Sequence, residues 1–399
     1  MPASSTPTAA AGFARRVALS AVGYTVLGAL PLFLMSSLAV ELQRDLGFDR
    51  SRLGLCISAY FLVSSLASAL LGPYLEGVGP SAGMRAAALL SLIVLLGIAV
   101  TARSWVHLAL FLAGAGLANA MAQVSSNLAL ADSVPLRRQG IAFGFKQAAV
   151  PLASVLAGVA LPAIGLVFGW RWAFAGLAAA AAAGAVWRPR LGRAARRGRP
   201  RRVPRHATLL LLAAAGALGG GIGNALAGFT VDAAVTVAGM DQATAGTLLA
   251  VGSGVAIAAR LAWGYLADRR GTTGFVLLAA VMLAGSAGFA LLALSGGRVP
   301  LFVPGLMIGF AGGWGWQGLI YSVVVRSNHE SPGAATALVL SGVYLGTIVE
   351  PSMIGHIASA WSYETAWWLS AGVLAAAGAV VLLSRWLTAR RATATAAGP

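Results

Sequence analysis

The chain has 399 residues, of which 58% are hydrophobic and only 10% are charged, and its mean hydropathy is +0.82. Soluble domains carry roughly a quarter charged residues, so the composition excludes an ordinary soluble protein and indicates a membrane protein. The net charge of +17 would suit a nucleic-acid binder, but aromatic residues do not interleave with the basic ones as such a surface requires. We therefore expect no nucleic-acid partner.

Twelve apolar stretches follow one another along the chain, each close to the ~20 residues that cross ~30 Å of hydrocarbon. They lack the alternation of barrel strands, so the expected class is an all-α integral membrane protein with 12 transmembrane helices. The first stretch is too long for a signal-peptide core and is expected to be retained. The predicted spans are 17–41, 53–75, 83–102, 105–131, 139–166, 171–187, 207–232, 244–267, 273–294, 300–326, 333–358 and 364–387.

A basic tract with nine arginines and three prolines between 188 and 205 divides these spans into two sets of six. It predicts an N-terminal six-helix bundle at 1–187, a cytoplasmic linker at 188–206 and a C-terminal six-helix bundle at 207–399. Twenty of the 28 basic residues fall on the side that holds both termini, which the positive-inside rule assigns to the cytoplasm. We expect a multi-pass protein of the cytoplasmic membrane whose basic tract is a charged tether that fixes topology; the alternative is that the tract also contacts anionic lipid.

A short motif, G-x-x-x-acid-x-x-G, occurs in each half at a spacing of 192 residues. Its residues are Gly72, Glu76 and Gly79 in the first half, and Gly264, Asp268, Arg269 and Gly271 in the second. The first glycine is expected to allow close helix approach and the last to allow a turn with positive φ. Aromatic segments at 168–174 and 361–367 repeat at a spacing of 193. Both repeats indicate two related, pseudo-symmetric halves.

Twelve spans in two sets of six, with G-x-x-x-D-R-x-G following spans 2 and 8, resemble the major facilitator superfamily. The second copy matches the family signature closely, whereas Glu76 and Gly77 replace the usual Asp and Arg in the first. The resemblance implies a secondary transporter in which two bundles rock around a midplane site. It also implies that Glu76 faces the start of span 11, and Asp268 the start of span 5, as a latch. The alternative is a turn that only fixes topology.

Lys146 is the only lysine in the chain. It lies ~12 Å into span 5 at 1.5 Å per residue, where a cation costs ~2.5–3.5 kcal/mol and usually faces a cavity or a partner. With Gln147 and Pro151 it forms a K-Q-x-x-x-P pattern that resembles one in some bacterial members of the superfamily. Lys146 is thus a candidate contact for an anionic substrate group. Alternatively, its side chain snorkels to the inner surface.

Glu350 is the one clearly mid-membrane acid of the predicted spans, ~25 Å along span 11. An apolar environment favours the protonated form of a carboxylic acid, so Glu350 is a candidate for coupling transport to a proton. Alternatively, it holds a neighbouring helix by a hydrogen bond.

Polar side chains form stripes on the spans that the resemblance places around a central cavity. In span 4 they recur at helical spacing, as do those in span 10, although each could instead join two helices for ~0.6 kcal/mol. The candidate substrate-binding residues are Tyr24, Asn119, Gln123, Asn127, Lys146, Gln147, Asn224, Trp314, Gln317 and Tyr321.

No catalytic, nucleotide or metal-ligand motif is present in the sequence, so we predict neither an enzyme nor a cofactor. The glycine run at 219–223 is interpreted as close helix packing. The predicted function is alternating-access transport of a small organic solute, leaning to an anion, by a monomer. The alternatives are a drug or metabolite efflux antiporter, which Leu110 disfavours because such antiporters often carry an arginine there, and a non-transporting sensor or scaffold.

Overall fold

The architecture is all-helical, as the sequence predicts. The structure is a computed structural model that describes residues 7–133, 145–187, 207–270, 274–327 and 332–396, and none of these residues forms a strand. The helices of the first half are α1 (Pro7–Ser37), α2 (Ala39–Leu46), α3 (Arg50–Val78), α4 (Pro80–Thr101), α5 (Trp105–Ser133), α6 (Ala149–Ala160), the π-helical turn π1 (Leu161–Gly165), α7 (Leu166–Phe168) and α8 (Trp170–Val186). Those of the second half are α9 (Ala207–Gly219), α10 (Ile222–Thr236), α11 (Gln242–Arg270), α12 (Phe275–Leu294), α13 (Val299–Ile308), the π-helical turn π2 (Gly309–Trp314), α14 (Gln317–Ser327), α15 (Pro332–Ala360) and α16 (Tyr363–Ala396).

Eleven of the described helical stretches are long and apolar enough to cross a membrane. The remaining predicted span, 171–187, is present as α8, whose 17 residues extend ~26 Å at 1.5 Å per residue. That length falls slightly short of a ~30 Å hydrocarbon core. Predicted bounds agree with the helices to within a few residues in most spans, as for span 8 (244–267) and α11. The first residues of predicted span 5, 139–144, lie outside the described residues.

The chain divides into two compact units. Unit 1 comprises Met1–Gly47 and Ala59–Gly198, and unit 2 comprises Phe48–Ser58 and Arg199–Pro399. In unit 1, α1 packs on α5 and α6, and α4 packs on α5 and α8. In unit 2, α9 packs on α15 and α16, while α12 packs on α13, π2 and α16. The first turns of α3 are therefore part of unit 2.

A buried carboxylate fastens those first turns of α3 within unit 2. Arg50 Nε lies 2.6 Å from Asp232 Oδ2, and the Tyr363 hydroxyl donates to the same oxygen. The Arg50 guanidinium also lies 5.0 Å from the centroid of the Tyr363 ring. Asp232 is only 1% exposed, and a buried charge is tolerated when it is paired and hydrogen-bonded. These three residues therefore join α3, α10 and α16.

Two glycine-rich stretches interrupt helices that the sequence predicts to be continuous. Predicted span 7 is divided at Gly220 and Gly221, and predicted span 10 contains π2 followed by a turn at 315–316. Glycine is ~1 kcal/mol less favourable than alanine inside a helix, so packing decides whether the helix stays intact. Here α15 comes so close that a Cβ on Gly221 would lie 2.6 Å from Glu350 Oε2. The predicted close packing is found, and both predicted spans are present as membrane-crossing stretches with a local interruption.

The loop motif meets one of its two glycine expectations. Gly79 has φ 88° and ψ 156°, a conformation open essentially to glycine, so the expected turn is found. Gly264 does not mediate a close approach, because a Cβ there would meet nothing within 4 Å among the described residues. The physical reason is that Gly264 lies on an exposed face of α11.

The proposed latch contacts lie outside the described residues. The side chains of Glu76 and Asp268 belong to this group, together with Gly271 and the start of span 5 expected to face Asp268. Arg269 is described, and its guanidinium lies 4.6 Å from the ring centroid of Tyr265, one turn earlier on α11. The latch therefore stays a prediction.

Candidate functional site

Lys146 and Gln123 meet within unit 1. The Lys146 ammonium donates a hydrogen bond to Gln123 Oε1, which joins the start of the helical stretch before α6 to α5. Lys146 is 2% exposed, so its side chain does not reach the surface of the described structure. None of the three ion pairs in the described part of the chain includes Lys146. Its identified acceptor is therefore a neutral amide oxygen.

Asn119 lies one turn before Gln123 on the same face of α5. Its Nδ2 donates to Ser64 Oγ at 2.8 Å, whereas no donor among the described residues reaches its Oδ1. A Cβ on Gly28 would lie 3.1 Å from that oxygen, so α1 approaches closely here. The Tyr60 hydroxyl donates to the Gly28 carbonyl at 2.8 Å. The Asn119 amide of α5 thus lies against two other helices of unit 1, α1 and α3.

The remaining candidates of unit 1 are placed differently. The Tyr24 hydroxyl donates to the Gly184 carbonyl at 2.7 Å, where it satisfies a carbonyl near the end of α8. Asn127 is exposed, and Gln147 is exposed beside the buried Lys146. The structure therefore brings Lys146 and Gln123 together, with Asn119 nearby, and does not bring Tyr24 to them by a hydrogen bond.

In unit 2, Arg260 of α11 contacts two candidates of predicted span 10. Its Nη2 donates to the Trp314 carbonyl at 3.1 Å and to Gln317 Oε1 at 3.0 Å. The guanidinium lies 5.4 Å from the centroid of the Trp314 ring. Trp314 is fully buried and sits at the end of π2, while Tyr321 lies one turn after Gln317 on α14. A turn at 315–316 separates Trp314 from α14, and that Trp314, Gln317 and Tyr321 share one face stays a prediction.

The break between α9 and α10 lies next to Gln317. The Gly220 carbonyl accepts from Gln317 Nε2 at 3.3 Å and from Asn224 Nδ2 at 3.4 Å. An interrupted helix leaves carbonyl and N–H groups without their usual partners, and these side-chain amides bind the carbonyl. Gln317 therefore connects Arg260 to the broken helix.

Glu350 lies on the other side of the same break. Its carboxyl group lies close to Gly221, next to the N-terminus of α10, where a Cβ on Gly221 would be 2.6 Å from Glu350 Oε2; no hydrogen bond from the described residues reaches that oxygen. The side chain is 4% exposed and lies 10 residues, ~15 Å, from the end of α15 at Ala360. A helix N-terminus favours a negative group. Both roles considered for Glu350, proton coupling and a hydrogen bond between helices, therefore stay predictions.

Arg260 is the site residue that sequence analysis did not select. Its signal was available, because Arg260 and Lys146 are the two basic residues that lie well inside predicted spans, whereas the other basic residues within spans lie at their ends. No group of three or more His, Cys, Asp or Glu side chains that could hold a metal exists among the described residues.

A family comparison explains the overall arrangement. The sequence profile of the Major Facilitator Superfamily matches residues 17–330 and, in a second match, residues 213–399. The chain belongs to the major facilitator superfamily. Members of this superfamily are multi-pass secondary transporters of small molecules and are typically not enzymes. No curated protein matches the sequence.

Solved structures of other superfamily members share the fold. A bacterial homologue of the human lysosomal transporter Spinster, in an inward-facing and occupied conformation, has a TM-score of 0.78 at 16% identity, covering 92% of this chain and 96% of its own. The D-xylose–proton symporter has a TM-score of 0.75 at 13% identity, with the same two coverages. At these identities the likeness shows the fold alone.

Proposed function

We propose that this superfamily member moves a small organic anion across the cytoplasmic membrane by alternating access, with a proton as coupling ion. One observation carries the proposal: a nearly fully buried ammonium, Lys146, whose identified hydrogen-bond acceptor is the amide oxygen of Gln123. An amide oxygen supplies a dipole but no counter-charge. A substrate carboxylate would supply that charge.

Burial of Lys146 favours substrate contact over snorkelling. A cation inside an apolar span costs ~2.5–3.5 kcal/mol, and a snorkelling side chain avoids part of that cost by keeping its head in water. At 2% exposure the Lys146 side chain does not do so. A charge-assisted bond to an anionic ligand is roughly twice as strong as a neutral one. Ligand binding would therefore compensate for a cost that the Gln123 amide only partly offsets.

Glu350 is the proposed proton-binding group. It is a buried acid in the middle of α15, and protonation would replace a charge at the N-terminus of α10 by a neutral group. Because helix dipoles favour a carboxylate by ~0.3–1 kcal/mol, the charged and protonated forms would hold the broken helix with different strength. A difference of this size biases two nearly balanced states.

Transport assays with matched charge variants test the anion proposal. Purified protein in liposomes is assayed for counterflow of radiolabelled acetate, succinate and benzoate. We expect Lys146→Gln to lower counterflow at least ~10-fold through loss of a charge-assisted bond, and Arg103→Gln, which removes an exposed charge, to leave it unchanged. Equal counterflow by wild type and Lys146→Gln would refute the role of Lys146, and binding without counterflow would support a sensor.

A second assay tests coupling and direction. Glu350→Gln is expected to abolish uptake driven by a pH gradient while counterflow at equal pH persists. Full pH-driven uptake by Glu350→Gln would remove the coupling role. Transport measured in inverted vesicles distinguishes import from export. Export would favour a metabolite or drug efflux antiporter.

We further propose that the transporter acts as a monomer with both termini in the cytoplasm and its basic tract against anionic lipid. Accessibility labelling of single cysteines placed at the two termini tests the orientation, and labelling from opposite sides would refute it. Light scattering with size-exclusion chromatography tests the monomer.

A further inference from the structure

Arg260 lies well inside its membrane span. It is 10 residues, ~15 Å, before the end of α11 at Arg270. Both oxygens to which its Nη2 donates, the Trp314 carbonyl and Gln317 Oε1, are uncharged amide oxygens. Arginine presents a planar fork of five N–H donors that matches a carboxylate with two parallel bonds. The residue type and depth thus suit recognition of an anion.

Hydrogen bonds at both the nitrogen and the oxygen of the Gln317 side-chain amide fix its orientation. Its Nε2 donates to the Gly220 carbonyl at 3.3 Å, which is available because the helix is interrupted there. Its Oε1 therefore faces the Arg260 guanidinium at 3.0 Å. In this arrangement an amide oxygen occupies the position where an anionic oxygen would bind.

A repeat relationship connects this pair with the one in unit 1. Gln123 and Gln317 lie 194 residues apart, close to the spacings of 192 and 193 of the two sequence repeats. Each glutamine oxygen accepts a hydrogen bond from a cation inside an apolar span, Lys146 in unit 1 and Arg260 in unit 2. The cations come from non-equivalent spans, 5 and 8. Both halves thus contain a hydrogen bond from a cation to a glutamine, although the two cations are not at equivalent positions of the repeat.

We infer that Arg260 and Gln317 form a carboxylate-binding subsite of unit 2, in which a ligand carboxylate displaces the Gln317 oxygen from the guanidinium. Gln317 is then a positioning residue that orients the guanidinium through its bond to the Gly220 carbonyl. The inference rests on the proposed anion transport but is separate from the role of Lys146. It predicts that a carboxylate binds more tightly than its neutral amide analogue.

Binding measurements on the full-length protein in nanodiscs test the subsite. Succinate, acetate and benzoate are titrated calorimetrically, with succinamide as the neutral comparison. Gln317→Glu supplies an internal carboxylate to Arg260 with little change of shape, so we expect affinity for the acids to fall at least ~10-fold. Gln317→Leu and Arg260→Lys should lower it less, because the charge remains. Arg103→Gln is the control for lost surface charge and should bind as wild type does.

The outcomes separate the two proposals. Gln123→Glu offers the same internal carboxylate to Lys146 and is measured in parallel, and thermal melting checks that each variant is folded. Loss of acid binding in Gln317→Glu with melting retained supports the subsite. If Gln123→Glu weakens binding but Gln317→Glu and Arg260→Lys do not, the subsite is refuted and anion transport stands. If the wild type binds no acid, or succinamide equally well, both proposals fail.

Discussion

Gly221→Ala offers a sharp test of the broken helix. A Cβ at this position would lie 2.6 Å from Glu350 Oε2 and 2.9 Å from Glu350 Cβ, and closer still to the Gly346 carbonyl oxygen. Real Cβ atoms do not approach other atoms so closely, so α15 or the Glu350 side chain has to move. Inserting a methyl group into a packed interior costs ~1–3 kcal/mol.

Backbone strain does not add to this cost. Gly221 has φ −93° and ψ −15°, which alanine adopts readily. Gly221 precedes the first residue of α10 and lies outside the helix interior, so alanine gains no helix propensity there that would offset the steric cost. We expect the free energy of unfolding to fall by about 1–3 kcal/mol, together with displacement of the Glu350 carboxyl group from Gly221.

Two measurements test the effect of Gly221→Ala. Thermal unfolding in detergent, monitored by tryptophan fluorescence, should show melting a few degrees lower, and the pH dependence of counterflow should change because Glu350 has moved. The matched control is Gly372→Ala in α16, where a Cβ meets nothing within 4 Å. Identical melting and pH dependence in Gly221→Ala and wild type would show that α15 does not contact the break as described.

Other predictions concern unit 2. Asp232→Asn leaves Arg50 without its carboxylate and should lower the free energy of unfolding by ~3 kcal/mol, whereas Tyr363→Phe removes one hydrogen bond to that carboxylate and should lower it by ~1.5–3 kcal/mol. Thermal melting compares the loss of stability in the two variants. A larger loss in Tyr363→Phe than in Asp232→Asn would contradict the ion pair as the main contact. Hydrogen bonds from Thr244, where α11 begins, hold the pKa of Asp241 below its ordinary value of 3.8. The Asp241 carboxylate should therefore stabilise the fold at neutral pH and stop doing so as the pH falls below 3.8. The melting temperatures of Asp241→Ala and wild type are compared at pH 7 and pH 3. An equal difference at the two pH values would disprove this prediction.

Most of the fold could be predicted from the sequence because apolar length is a local property of the chain. Span 8, predicted at 244–267, is found as Gln242–Arg270, and the turn glycine Gly79 has its expected positive φ. The interruptions at Gly220–Gly221 and π2 could not be predicted. A glycine-rich run permits either an intact or a broken helix, and the choice depends on which side chains reach the backbone.

The candidate site was predictable only in part. Lys146 was identifiable because a single lysine inside an apolar span is unusual, and Arg260 carried the same signal. Their partners were not identifiable, since Gln123 lies 23 residues from Lys146 and Gln317 lies 57 residues from Arg260. Helical periodicity orders residues along one helix and contains no information about which face of another helix they meet.

The sequence by itself determined that this protein is a helical membrane protein of two related halves. The length of apolar stretches, the distribution of charge and the repeat spacing can all be read directly from the order of residues. Only the tertiary structure decided that Lys146 and Arg260 each donate to a glutamine, and that Glu350 lies at the start of a half-helix. Those contacts depend on distances between helices far apart in the chain, and such distances arise only when the helices pack.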